Sequence, residues 1–122
     1  LNDVEKQIRR RILLQTKTLI LTPRYLVELS DDICAIIPLP EVLWIYDHAA
    51  MRRTIKGRQL SYTIHVVTMK GEEYTLTGKS HREVSAIYHE LNTRYPNFFF
   101  GYSKEHQEMV QYVLHEMKNE KA

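Results

Sequence analysis

The chain has 122 residues, of which 43% are hydrophobic and 26% are charged, with four Gly and four Pro. This composition is typical of one globular domain and excludes collagen-like, low-complexity and wholly disordered chains. The formal net charge of +2, from 17 basic and 15 acidic residues, gives little reason to expect a nucleic-acid binder.

The first segment, residues 1–15, is predicted to be a helix, because apolar residues recur in it every four positions. It carries a basic cluster: Arg9, Arg10 and Arg11. Since the sequence begins with Leu rather than Met, we expect it to be a piece of a longer protein. If an apolar helix precedes the cluster there, the cluster would lie beside a membrane on the cytoplasmic side. The alternative is a solvated helix.

The middle of the chain is rich in predicted strands. Short β-branched, aromatic or alternating runs are separated there by Pro, Gly or Asp, which favour turns. A tight turn at Lys70 and Gly71 is expected to join the last two strands. Cys34 is expected to be a buried, inert thiol, and a nucleophilic pair with a histidine is the alternative, which its apolar neighbours disfavour. The predicted strands cover residues 19–22, 25–29, 34–37, 42–46, 60–69 and 73–77.

Residues 52–58 are predicted to form a hairpin loop around Gly57 that carries the second basic cluster. The cations at such a tip would point outward together and could hold phosphate oxygens of a lipid headgroup or of another acidic partner. The alternative is a solvated loop that only aids solubility. The cluster consists of Arg52, Arg53, Lys56 and Arg58.

Two helices are predicted after the strands. Ser80 and Glu83 have the spacing of a capping box, so a helix is expected over residues 80–95. Ser103 is expected to cap a last helix over residues 103–122.

An aromatic run lies between these two helices: Phe98, Phe99 and Phe100. Three successive phenylalanines cannot all face one core. We expect the last helix to pack on this run, and the alternative is a surface for a protein partner or a second copy.

No motif for catalysis, metal or cofactor binding stands out. The six histidines do not have metal-binding spacing, no paired-carboxylate motif is present, and the four glycines are isolated, so no phosphate loop is expected. We therefore expect no catalytic residue, metal, cofactor or nucleic acid. The rival hypothesis is an enzyme that uses His48 or His65 in a strand-lined pocket.

Several short motifs resemble a known family. Residues 19–27 read as strand, Thr, turn, Arg-aromatic and strand, and residues 36–42 contain Ile-Pro-Leu; together they resemble the opening of bacterial pleckstrin-homology-like (PH-like) domains. Further segments resemble a subgroup of uncharacterised small bacterial proteins that commonly carry membrane-spanning segments outside this domain. These segments are residues 44–46, the basic turn, and residues 94–96 and 101–103.

The sequence thus predicts a single α+β domain over residues 1–122, with a PH-like core at about 16–103. A bent antiparallel sheet or partly open barrel would be capped by helix 80–95 and flanked by the N- and C-terminal helices. The expected function is a non-catalytic binding or scaffolding module, the cytoplasmic part of a protein attached to or near the bacterial inner membrane. The alternative is anionic-lipid binding through the basic loop. The expected partner is a protein or an anionic membrane surface, and the sequence indicates no oligomeric state.

Overall fold

The computed structural model of the chain describes residue 6, residues 11–30 and residues 33–121. Within these residues the strands form two four-stranded sheets that are not closed into one barrel, and the α+β class is confirmed. The first sheet contains β1 (Leu14–Gln15), β2 (Leu19–Leu21), β3 (Tyr25–Ser30) and β4 (Ile33–Pro38). The second contains β5 (Val42–Thr54), β6 (Gly57–Thr68), β7 (Glu73–Lys79) and β8 (Phe99–Phe100). The helices are α1 (His81–Arg94) and α2 (Lys104–Lys121).

The topology follows from short connections between successive strands. The first sheet is an antiparallel meander in the order β1-β2-β3-β4. A 3-10 turn at Leu39–Glu41 leads into the second sheet, whose order is β7-β6-β5-β8. There β5, β6 and β7 are antiparallel, while the short β8 returns after α1 to pair in parallel with β5.

The main core lies between the two sheets and α1. Each sheet buries one apolar face, which needs cover from another layer. Val84, Ile87 and Leu91 recur at three- and four-residue spacing on α1 and supply that cover. The strand residues of this core are Leu14, Leu19, Leu21, Leu26, Ile37, Val42, Ile45, Ile64, Val66 and Leu76, and Leu39 of the 3-10 turn joins them.

A second, smaller core lies on the other face of the second sheet. Because side chains alternate along a strand, Trp44 and Val67 point away from the main core. Val110 of α2 is buried against them, and Val113 and Leu114 are half-buried beside it. Helix α2 therefore covers the part of this outer face around Trp44 and Val67, and the second sheet is packed on both sides there.

The two helix starts predicted from the sequence are confirmed. The Ser80 hydroxyl accepts from the Glu83 N–H at 3.2 Å, and a Glu83 carboxylate oxygen accepts from the Ser80 N–H at 2.9 Å. The Ser103 hydroxyl likewise accepts from the His106 N–H at 3.0 Å. The six predicted strands are also present, with β1 and β8 added to them.

The predicted N-terminal helix is wrong at its C-terminal end. Leu14 belongs to strand β1, and the N–H of Leu13 donates to the carbonyl of Leu21 at 2.8 Å. This pairing buries Leu14 in the main core, which a helix on the surface would not do. Residues 1–5 and 7–10, which would form most of that helix, lie outside the described residues.

Candidate functional site

Strands β5 and β6 continue well past their neighbours in the second sheet. Strand β7 covers β6 only as far as the pair of Tyr62 and Lys79, and β8 covers β5 only at Trp44 and Ile45. The predicted loop over residues 52–58 is therefore mostly strand, with only Ile55 and Lys56 in the turn. The two-stranded extension, residues 50–61, is called the arm below. Its five residue pairs extend for about 17 Å at the usual rise per strand residue.

The arm carries the second basic cluster, which is called the arm cations below: Arg52, Arg53, Lys56 and Arg58. All four side chains are exposed. Arg53 and Arg58 are direct cross-strand partners, whereas Arg52 faces Gln59. Like charges directly opposite each other destabilise a strand pair. The arm therefore concentrates positive charge at a cost to its own stability.

No acidic residue compensates for the arm cations in the described part of the chain. The sequence contains neither Asp nor Glu over residues 48–71. None of the ion pairs among the described residues includes an arm cation. The arm consequently presents unneutralised guanidinium and ammonium groups, which are the donors that phosphate and carboxylate oxygens bind.

Three large apolar side chains share the arm with these cations. Ile55 is fully exposed at the turn, Met51 is 61% exposed and Leu60 is 53% exposed. Met51 and Leu60 are cross-strand partners on the same face as Arg53 and Arg58. None of the three belongs to either core, so intramolecular packing does not account for them. The charges of this segment were recognisable in the sequence, whereas the exposure of its three apolar residues was not.

A buried polar network lies near the base of the arm. Lys79 and Glu28 are both buried, and Lys79 Nζ lies 2.7 Å from Glu28 Oε1. The same ammonium group donates to the carbonyl of Thr18 at 3.3 Å. Because Lys79 belongs to β7 and Glu28 to β3, this ion pair connects the two sheets.

Glu83 extends this network to the start of α1. Its Oε2 accepts hydrogen bonds from the hydroxyls of Thr16 at 2.6 Å and Thr18 at 2.8 Å. Burial opposes ionisation of this carboxyl, but the hydrogen bonds from Thr16, Ser80 and Thr18 outweigh it and lower the pKa of Glu83. The acidic residue of the α1 capping box thereby also holds the turn between β1 and β2.

His48 and His65 come together on the outer face of the second sheet. The distance between His65 Nε2 and His48 Nδ1 is 3.3 Å, and the ring of His65 stacks on that of Tyr46 at 4.7 Å. Burial, and then the neighbouring His48, lower the pKa of His65, although Glu73 acts in the opposite direction. Among the described residues no carboxylate hydrogen-bonds to either imidazole.

Tyr88 and Asp47 form a second polar contact, on the core side of β5. The Tyr88 hydroxyl donates to Asp47 Oδ1, which ties α1 to the second sheet. Burial, and then this hydrogen bond, raise the pKa of Tyr88. Asp47 is the acidic residue of β5, and its carboxylate already accepts a hydrogen bond from Tyr88.

The remaining predicted site residues are the N-terminal basic cluster and the aromatic run. Arg11 is exposed, and Arg9 and Arg10 lie outside the described residues. Phe98 is half-buried against the main core and Phe99 against the second core. Only Phe100 is largely accessible, at 47% exposed. The predicted packing of α2 near this run is present, since Phe99 and Val110 join the same core.

Among the described residues, no three side chains of His, Cys, Asp or Glu come together in an arrangement that could hold a metal ion. No described helix combines the length and the apolar character that crossing a membrane requires.

Comparison with known proteins identifies one family. A family model described as Domain of unknown function (DUF6709) matches residues 6–110. No curated protein and no solved structure gives a significant match. Because the family model matches well over half of the 122 residues, the chain belongs to the DUF6709 family of domains of unknown function.

Proposed function

We propose that this domain is a non-catalytic binding module that docks on an anionic membrane surface through its arm. The observation that carries the proposal is the set of four exposed arm cations without a described acidic partner, on a hairpin that extends past the sheet. Each Lys or Arg held near an anionic bilayer surface contributes about 1 kcal/mol. Four such residues on one tip make a concentrated contact.

The architecture supports a PH-like assignment within this proposal. Four antiparallel strands, then three more, then the helix α1 that closes the main core follow one another in the order expected for such a domain. The family match leaves the function open, and a shared fold does not by itself assign one. The proposed function therefore rests on the arm and its cations.

The proposed setting is the cytoplasmic face of the bacterial inner membrane. There the basic cluster Arg9, Arg10 and Arg11 would be the cytoplasmic flank of a membrane segment in the parent protein. The complete coding sequence tests this part: an apolar stretch of about 20 residues is expected outside the domain. A parent protein without any such stretch would contradict membrane attachment, although docking through the arm would stand.

A binding role fits the arm better than the enzyme hypothesis fits the histidines. His48 is exposed and His65 is half-buried on the outer face of the sheet. A general base ordinarily needs a partner that orients it and a pocket that holds its substrate. In the described structure the imidazole rings of His48 and His65 hydrogen-bond only to each other, which supports the non-catalytic proposal.

Co-sedimentation with lipid vesicles tests the proposed function. The protein is mixed with vesicles of phosphatidylcholine alone, or of phosphatidylcholine with phosphatidylglycerol, at increasing salt concentration. We expect binding to the anionic vesicles only, and a progressive loss as ionic strength shortens the screening length. Equal binding to both vesicle types, or no binding to either, would overturn the proposal. In the second case an acidic protein partner becomes the better assignment.

A further inference from the structure

The apolar residues of the arm carry an inference that rests on the proposed function and makes it more specific. We infer that Ile55, at the tip, inserts into the apolar edge of the bilayer while the arm cations hold the surrounding phosphates. The ligand is then a lipid bilayer. A soluble polyanion would bind the arm cations but would offer no apolar contact to Ile55.

The position of Ile55 is the first argument. It lies in the two-residue turn, it is fully exposed, and it is followed by Lys56. Turns favour Gly, Asn, Asp and Ser, because these residues adopt turn conformations or hydrogen-bond to the backbone. An isoleucine at this exposed turn position has no such role. Inserted into a bilayer, the same side chain would leave water.

The charges around Ile55 identify what would cover it. Thr54 and Gly57 close the turn, and arm cations occupy the adjacent positions on both strands. A second copy of this arm would bring like charges together, which disfavours an arm-to-arm dimer. An anionic bilayer offers a negative surface and an apolar interior within a few ångströms of each other. Both components of the tip are satisfied there at the same time.

Thr54 and Gly57, which flank the two-residue turn, fix its conformation. The Thr54 hydroxyl donates to the carbonyl of Gly57 at 2.8 Å, and Gly57 has a φ of +119°. Residues that carry a side chain rarely adopt that backbone conformation, so glycine is suited to this position. The turn is thereby held closed with Ile55 at its outer end.

Vesicle partitioning of single variants tests the inference. We expect Ile55→Ser to weaken binding to vesicles containing phosphatidylglycerol by about tenfold, the loss that removing one buried aliphatic side chain implies. Ile55→Leu should retain wild-type binding. Met109→Ser is the matched control, because Met109 is 49% exposed but belongs to α2 and not to the arm, and this variant should bind as the wild type does.

A soluble polyanion separates insertion from charge. Inorganic polyphosphate offers negative charge without an apolar interior, so Ile55→Ser should bind it as tightly as the wild type does. Equal effects of Ile55→Ser on polyphosphate and on vesicles would overturn the inference.

Depth quenching gives an independent readout of insertion. In Ile55→Trp, brominated acyl chains should quench the new indole fluorescence, whereas Tyr112→Trp should be unaffected. Tyr112 is 61% exposed on α2, and the native Trp44 is buried and supplies a constant background. If the wild type binds anionic vesicles but Ile55→Ser binds equally well and Ile55→Trp is not quenched, the inference is wrong and the proposed function stands. If the wild type does not bind the vesicles, both fail.

Discussion

Lys79 and Glu28 form a buried ion pair between the two sheets, with 2.7 Å between Nζ and Oε1. Their side chains are only 1% and 5% exposed. Removing one partner from such a pair leaves an uncompensated buried charge, whereas replacing both is often close to neutral. The pair therefore contributes to the packing of the two sheets against each other as well as to the free energy of unfolding.

This arrangement predicts strong coupling between the two positions. Lys79→Met should lower the free energy of unfolding by about 3–5 kcal/mol, and Lys79→Met with Glu28→Met should recover most of that loss. Lys70→Met is the control, since Lys70 is 64% exposed and water screens its ion pair with Glu41, so this substitution should leave the free energy of unfolding nearly unchanged. Denaturant unfolding measures all four proteins. A double variant at least as unstable as Lys79→Met would show that the ion pair does not couple the sheets.

Glu83 is predicted to stabilise the fold in a pH-dependent way. Because folding lowers the pKa of Glu83, its contribution is present above the ordinary value of 4.5 and is lost as pH falls through the folded value. Glu83→Gln should cost about 2 kcal/mol near neutral pH, as expected for hydrogen bonds to a charged group.

The matched control for this prediction is Glu105→Gln, in the first turn of α2. It should cost only about 0.5 kcal/mol, because an exposed acid there interacts with the helix dipole alone. The stabilities of wild type and Glu83→Gln should begin to approach each other as pH falls below 4.5, and they should meet below the lowered folded pKa of Glu83. A difference that stays constant with pH would contradict the ionised hydrogen-bond network.

His65 is predicted to titrate below its ordinary pKa of 6.5, because burial and His48 both disfavour its charged form. The unfolded chain then binds more protons than the native chain just below pH 6.5, so stability falls as pH drops through that window. His48→Gln should raise the pKa of His65 only part of the way back to 6.5, since burial is the larger cause of the shift. NMR titration of the His65 ring measures this pKa. An unchanged pKa in His48→Gln would show that the two rings do not interact electrostatically.

The arm is predicted to be dispensable for folding. None of residues 50–61 belongs to either buried core. Replacing residues 51–60 with Asn-Gly, which favours a two-residue hairpin turn, should change the free energy of unfolding by no more than about 1 kcal/mol. Calorimetry or denaturant unfolding checks this. A loss of several kcal/mol would mean that the arm supports the cores, and its role in binding would need another account.

Local signals were the predictable part of this fold. The capping box of Ser80 and Glu83 was recognisable because both partners lie within one helical turn of sequence. The arm was harder, because its strands carry arginines and glutamine in place of alternating apolar residues, so residues 52–58 resembled a loop. A polar two-stranded extension lacks the periodicity that marks a half-buried strand.

Contacts between distant segments were not predictable. Lys79 and Glu28 lie on separate strands of different sheets, and no spacing rule links them. The proximity of His48 and His65 depends on register, and register depends on where the hairpin turns. With the turn placed at Ile55 and Lys56, the ladder sets Tyr46 opposite His65 and therefore His48 diagonal to it. Without that register, the sequence left open whether His48 and His65 meet.

The most direct test of the central claim compares two quadruple variants for binding to anionic vesicles. One replaces the arm cations with glutamine; the other replaces Lys17, Arg82, Lys104 and Lys118, which are exposed elsewhere on the domain. Both lower the net charge of +2 by the same four charges. The arm variant should lose two to three orders of magnitude in affinity, at about 1 kcal/mol per residue, and the control variant should bind nearly as the wild type does. Equal losses in the two variants would contradict docking through the arm.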